Sequence, residues 1–208
     1  MTFPAAARLY GILDLGYVEP TAAMEVADQM LDGGIQVLQL RAKNFLSEEI
    51  RDLAVKLVPL CRKFAVPLIL NDHPELVRET GADGVHVGQD DLSVEEVRKI
   101  VGTDAIVGLS THSVAQAEAS RVLAVDYIGF GPLFATPTKP DYAAIGTSGI
   151  FEVYRLVDRP IFCIGGIKRE NLSEVIDAGA ERVVIVSGIL QAPDIVSYCR
   201  SCLDLLPT

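Results

Sequence analysis

The chain has 208 residues, 50% of them hydrophobic and 22% charged, which allows a sizeable buried core and excludes an intrinsically disordered protein. Its formal net charge of −10 leaves no cationic excess to cover a phosphate backbone, so no nucleic-acid partner is expected. No apolar run approaches the roughly 20 residues that span a bilayer, and the opening MTFPAAARLYGILDLG lacks the basic start and apolar stretch of a secretion signal; a cytoplasmic protein with no membrane partner is the expectation.

In chain order, short β-rich runs alternate with helical ones. RLYGIL (8–13) is followed by the helical PTAAMEVADQML (20–31), and IQVLQL (35–40) by SEEIRDLAVKLVPLCRKF (47–64). VPLIL (66–70) leads to a helix with Pro74 in its first turn, GVHVG (84–88) to SVEEVRKI (93–100), and AIVGLS (105–110) to SVAQAEASRV (113–122). VDYIGF (125–130) opens onto a long, stiff, polar stretch, GPLFATPTKP (131–140). IFCIGG (161–166) precedes RENLSEVIDA (169–178), and RVVIVSG (182–188) precedes a last helix that carries Cys199 and Cys202.

The punctuation supports these divisions. LDGG, TGADG and DAGA place glycine where a helix must stop and turn into a strand. Ser47, Ser93 and Ser113 are expected N-caps, and Ser93/Glu96 and Ser113/Gln116 have capping-box spacing. Near-continuous apolar strands belong in a parallel sheet covered on both faces. Eight β/α units with no linker between them predict an α/β protein, a single (β/α)8 TIM barrel spanning 1–208 as one domain. The competing doubly wound sheet would carry a glycine-rich fingerprint after its first strand, and RLYGILDLG has none.

A barrel gathers chemistry at the C-terminal ends of its strands. There the chain places Gln39, Arg41 and Lys43, alternating along one face; Asn71 and Asp72; Gln89, Asp90 and Asp91; Ser110 and Thr111; Thr136, Thr138 and Lys139; Gly165 and Gly166; and Ser187 and Gly188. Plain structural roles compete for each. Asp72 and Asp91 would serve as helix caps, Arg41 and Lys43 as a solvated rim, the glycine pair as a tight turn and Ser187 as a cap. Ser110, Thr111 and His112 have the residue types of a nucleophile and base without the G-x-S-x-G elbow, so acyl transfer is not expected. Cys199 and Cys202 form a C-x-x-C with no second ligand pair, which reads as packing.

At one rim the same residues suggest two anion sites. Glycine turns after the last two strands lie where barrels hold a phosphate on backbone N–H groups, with Gly166 allowing close approach and Ser187 adding a hydroxyl. Asp72 and Asp91 with Arg41, Lys43 and Lys139 suit Mg²⁺ bridging a diphosphate, hard oxygen ligands on the metal and cations on the remaining oxygens.

QLRAK, LILND, GADGVHVGQDD, GLSTHS, DYIGFGPLFATPTKP, IGGI and VVIVSGI make the chain resemble the thiamine-phosphate synthase family over nearly its whole length. The resemblance implies a transferase that couples a hydroxymethylpyrimidine diphosphate to a thiazole phosphate, with dissociative, Mg²⁺-assisted loss of pyrophosphate. It also implies two small phosphorylated heterocycles as partners; a homo-oligomer is left open. By position, Gln39, Arg41, Lys43, Asn71, Ser110 and Lys139 would hold the pyrimidine diphosphate, with Lys139, Arg41 and Ser110 as the catalytic groups. Asp72 and Asp91 would bind Mg²⁺, and Thr136, Thr138, Gly166, Val186 and Ser187 would hold the thiazole phosphate. His73 stands where many relatives carry arginine. The rival readings are the sister thiazole tautomerase, which needs no diphosphate set, and a non-catalytic binder of phosphorylated ligands.

Overall fold

The eight apolar runs pair in sequence order, all parallel, and close into one barrel in the computed structural model, which describes residues 3–136 and 143–207. The strands are β1 (Leu9–Asp14), β2 (Val37–Arg41), β3 (Leu68–Asn71), β4 (Gly84–Val87), β5 (Ile106–Thr111), β6 (Tyr127–Phe130), β7 (Ile161–Cys163) and β8 (Val183–Ile185). Around them run α1 (Ala23–Asp32), α2 (Ser47–Lys63), α3 (Pro74–Thr80), α4 (Val94–Val101), α5 (Val114–Ala119), α6 (Ile150–Leu156), α7 (Leu172–Asp177), α8 (Ser187–Leu190) and α9 (Ile195–Leu203). This is the (β/α)8 barrel that the alternation of runs predicts. Among the described residues no helix is long and apolar enough to cross a membrane.

Two apolar layers explain why the strands read as near-continuous hydrophobic runs. Outward residues such as Leu9, Leu38, Leu68 and Val85 pack under the helices, while Tyr10, Ile12, Val37, Ile69, Ile106, Tyr127, Phe162 and Val184 fill the barrel interior. Phe3, ahead of β1, stacks on Tyr127 with ring centroids 4.7 Å apart and meets Phe162 edge-on, so the N-terminal segment packs against the interior rings. Polar side chains on the inward face are confined to the strands' C-terminal ends or to partners of those ends, as at Gln39 and Arg41.

The helix ends follow the predicted punctuation with three corrections. Ser93 caps α4, its Oγ accepting from the Glu96 N–H at 3.3 Å while the Glu96 carboxylate accepts from the Ser93 N–H at 3.0 Å. Ser113 caps α5 by accepting from the Gln116 N–H, but the reciprocal half of the box is missing, since the Gln116 side chain accepts from the N–H of His112. Ser47 is no cap: it is the first residue of α2, and the Glu49 side chain accepts from the N–H of Leu46 in front of it. After α1 the left-handed residue is Gly34 (φ 92°), with Gly33 still right-handed. Cys199 and Cys202 lie fully buried on α9 as free thiols, and burial pushes them up to about 12 and about 11, so both are packing groups.

Glycine has a steric role inside the wall of the barrel. A Cβ on Gly84 would lie 2.1 Å from the Ile106 carbonyl oxygen, so β4 and β5 can pair at this register only with a bare backbone. Gly84→Ala is therefore expected to cost about 1–3 kcal/mol, the usual penalty of overfilling a packed interior. In a chain of this size each kcal/mol lowers Tm by roughly 2–4 °C. Thermal denaturation reads the loss, and an unchanged Tm would show that the two strands tolerate a methyl group there.

Candidate active site

β1 and β2 bring Asp14 and Arg41 side by side, since their Cα positions are register partners. Arg41 Nη1 donates to Asp14 Oδ2 at 2.5 Å, and Asp14 Oδ1 accepts from the Gly16 N–H at 2.9 Å. Both residues are buried, 8% and 2% exposed, and an ion pair in this setting must satisfy its remaining valences to offset lost hydration. Arg41 is thus a held, oriented cation facing the interior, and the solvated-rim reading fails for it. Lys43, two residues on, lies beyond the strand and is exposed.

The ends of β3 and β4 hold the two carboxylates together. The Asp72 N–H donates to the His86 carbonyl of β4, which places Asp72 in the left-handed region at φ 61°, uncommon for a residue with a side chain. Its carboxyl accepts from Asn71 Nδ2 at 2.7 Å, and Asp91 accepts from the Gly88 N–H at 2.7 Å. Burial, then the charge of Asp91 and a hydrogen bond with it, push the Asp72 carboxyl above the usual carboxylate range, while Asn71 and Lys43 pull the other way. Neither acid caps a helix: His73 occupies the cap position of α3 with no side-chain bond to a helix N–H, and Ser93 caps α4. His73 is bonded through Nδ1 to Glu75.

Two oxygen-donor groups forced together fit a hard divalent cation, which would relieve the repulsion that raises Asp72. Among the described residues no third His, Cys, Asp or Glu joins them, so the pair supplies only part of such a coordination shell.

Across the barrel, the stem of the long loop after β6 is stitched to the end of β7. The Leu133 N–H donates to the Ile164 carbonyl at 2.8 Å and the Phe134 N–H to the Gly165 carbonyl at 3.0 Å. Gly165 (φ 99°) and Gly166 (φ 65°) take consecutive left-handed conformations, and a Cβ on Gly166 would fall 2.7 Å from Phe134. This turn faces Val186 and Ser187, where β8 passes into α8. Among the described residues no protein acceptor takes the N–H of Gly166, Ser187 or Gly188.

One cleft joins the two sides, a space of about 870 Å³ including its open mouth. Of the residues predicted from the sequence, Gln39, Arg41, Asn71, Ser110, Thr136, Gly166, Val186 and Ser187 line it. Asp72 and Asp91 stand beside it next to Asn71, and Lys43 is outside. Thr138 and Lys139 lie outside the described residues. Ser110, Thr111 and His112 do not form a nucleophile pair: Ser110 Oγ bonds to His86, Thr111 donates to the Gly129 carbonyl, and His112 Nδ1 meets the Gly131 carbonyl.

Asp14, Tyr10, Tyr127 and His86 also meet at the site, and the sequence pattern does not single them out. Tyr10 and Tyr127 sit at strand beginnings, where a tyrosine reads as core. His86, between two valines in GVHVG, has the parity of an inward residue, and that alternation was the available signal.

The sequence profile of the family described as "Thiamine monophosphate synthase" matches residues 9–189. The chain is 41% identical to a thiamine-phosphate synthase of Pelotomaculum thermopropionicum over 196 residues, covering 94% of this chain and 90% of that protein. It is 38% identical to one from Halalkalibacterium halodurans over 194 residues, 93% and 92% of the two chains. Its fold is similar to thiamine phosphate pyrophosphorylase from Pyrococcus furiosus, with TM-score 0.87 at 26% identity over 97% of this chain and 96% of that one. A 3-hexulose-6-phosphate synthase at 14% identity and TM-score 0.69 shares the fold alone.

Because the fold raises the pKa of Asp72, folding takes up protons, and stability from this group is full at low pH and lost as pH rises through the raised value. In metal-free protein at neutral pH, Asp72→Asn should therefore raise Tm, because it removes a carboxylate that the fold disfavours in its charged form. A lower Tm, measured with chelator present, would mean that neither burial nor the neighbouring Asp91 disfavours the charged carboxyl there.

Proposed function

The chain belongs to the thiamine monophosphate synthase family, and from that premise we propose that it joins 4-amino-2-methyl-5-(diphosphooxymethyl)pyrimidine to a thiazole phosphate, giving thiamine phosphate and pyrophosphate. The observation that carries this reading is one cleft with a buried cation and a carboxylate pair at one side and open backbone N–H groups on a glycine turn at the other.

Gln39, Asn71 and Ser110 hold the pyrimidine, and Arg41, Lys43 and Lys139 supply the positive charge for its diphosphate. Arg41 is the best supported of the cations: its ion pair with Asp14 fixes the guanidinium in a low-dielectric setting, where charge stabilisation costs no reorganisation. Asp72 and Asp91 would hold Mg²⁺, which when bound neutralises charge on the diphosphate oxygens. Gly166, Val186 and Ser187, with Thr136 and Thr138, receive the thiazole phosphate.

The reaction needs positioning and no protein nucleophile. The bond between the pyrimidine methylene and the diphosphate oxygen breaks with its electron pair leaving on the oxygen. The amino-substituted ring disperses the positive charge left on the methylene. The thiazole nitrogen, held on the opposite side of the cleft, donates its lone pair to that carbon and closes the new C–N bond. Arg41, Lys43 and Lys139 stabilise the departing anion, and the side chains along the barrel floor keep the ring in place.

The decisive measurement is pyrophosphate release that requires both substrates and stops on chelation. Release with either substrate missing, or none with both, would end this reading. Asp91→Asn is expected to lower kcat by on the order of 100-fold or more, because charge stabilisation at a leaving phosphate is worth several kcal/mol; a rate near that of the unsubstituted protein would remove Asp91 from the site. Gly166→Ala pushes a methyl group against Phe134 and should raise KM for the thiazole phosphate about tenfold or more while leaving KM for the pyrimidine within about threefold. Steady-state kinetics with each substrate varied separately reads the difference, and equal changes in both constants would place the phosphate elsewhere.

A further inference from the structure

A row of hydrogen bonds crosses the barrel beneath the cleft and joins two of the pyrimidine-facing residues. Gln39 Nε2 donates to the Tyr10 hydroxyl at 2.8 Å, the Tyr10 and Tyr127 hydroxyls are 3.0 Å apart, Tyr127 lies 3.1 Å from His86 Nδ1, and His86 Nε2 lies 2.9 Å from Ser110 Oγ. The members come from β2, β1, β6, β4 and β5, so only the closed barrel brings them into line.

The row can be ordered so that every member hands its hydrogen on to the next. An amide NH2 only donates, so Tyr10 accepts from Gln39, and in that order its own hydrogen goes to Tyr127. Tyr127 then donates to His86 Nδ1, which leaves the ring proton on Nε2, pointing at Ser110 Oγ. Ser110, already an acceptor, turns its hydrogen toward the cleft, and Gln39 is left with its carbonyl oxygen for a ligand. Burial raises the pKa of both tyrosines well above the ordinary phenol value, so their hydroxyls keep the protons that the order requires.

The backbone makes room for this row. A Cβ on Gly108 would lie 2.4 Å from the Tyr127 hydroxyl and 2.5 Å from His86 Nδ1, so β5 is bare where the Tyr127–His86 bond passes.

We propose that His86, acting through Tyr127 and Tyr10, is a positioning residue that fixes the hydrogen-bond polarity of the cleft floor, so that Gln39 presents an acceptor and Ser110 a donor and the site selects an amino-substituted over an oxo-substituted pyrimidine. An exocyclic amino group donates to Gln39 Oε1 while a ring nitrogen accepts from Ser110; an oxo group in the amino position would set acceptor against acceptor. The inference rests on the pyrimidine reading above.

The test has two parts. Nitrogen NMR of the ligand-free protein should show His86 as the neutral Nε2–H tautomer; an Nδ1–H tautomer would mean that the row runs the other way and overturns the proposal. Titration calorimetry then compares the 4-amino pyrimidine diphosphate with its 4-oxo analogue, thiazole phosphate absent. The unsubstituted protein should favour the amino compound by about 10–100-fold, as expected for one mispaired buried polar contact. Tyr127→Phe and His86→Leu should reduce that ratio to about threefold or less, whereas His86→Gln, whose amide still donates to Ser110, should keep most of it. An unchanged ratio in Tyr127→Phe, with the variant folded, would overturn the proposal. If the unsubstituted protein releases no pyrophosphate with both substrates, the functional reading fails instead, and the tautomer still decides the direction of the row.

Discussion

Closure of eight parallel strands into one barrel is the constraint from which the rest of this molecule follows. Parallel pairing sends every strand's C-terminal end to the same rim, and the two-residue period sends alternate side chains inward. Gln39, Asn71 and Ser110 are far apart in the chain and face one cleft because of that geometry, and Ser187 joins them where β8 passes into α8. The interior below the rim is closed by aromatic rings, so the polar end meets a packed apolar floor, where a buried polar group needs a partner.

That packing sets the electrostatics. A chain with a net charge of −10 can meet a phosphorylated ligand only by local arrangement, against its overall charge. Arg41 is held inside by Asp14, and the Asp72–Asp91 pair keeps negative charge concentrated where a divalent cation would be welcome. The polar row from Gln39 to Ser110 obeys the same rule, each buried hydroxyl or ring nitrogen bonded to the next.

Bare backbone is the other material of the site. Gly131 and Gly165 allow the loop after β6 to lie against the end of β7, where any side chain would collide: a Cβ on Gly131 would stand 2.0 Å from the Ile164 carbonyl oxygen. The long GPLFATPTKP stretch therefore begins as an anchored stem that carries Thr136 to the cleft, before the chain passes beyond the described residues.

The order of strands and helices, the closed barrel and the rim at which polar groups collect were legible in the sequence, because hydrophobic period, glycine stops and strand-end polarity are local properties of the chain. So was most of the set around the cleft, from Gln39 to Ser187. The corrections were also local, as at Ser47, where the glutamate half of a cap works without the serine. What the chain order could not reveal was which buried groups touch: Asp14 under Arg41, Asp72 turned to Asp91 and away from its helix, and the line through Tyr10, Tyr127 and His86. Each of these contacts joins different strands or loops across the barrel, and only tertiary closure decides them, since a hydrogen bond depends on distances of a few tenths of an ångström that no local pattern encodes.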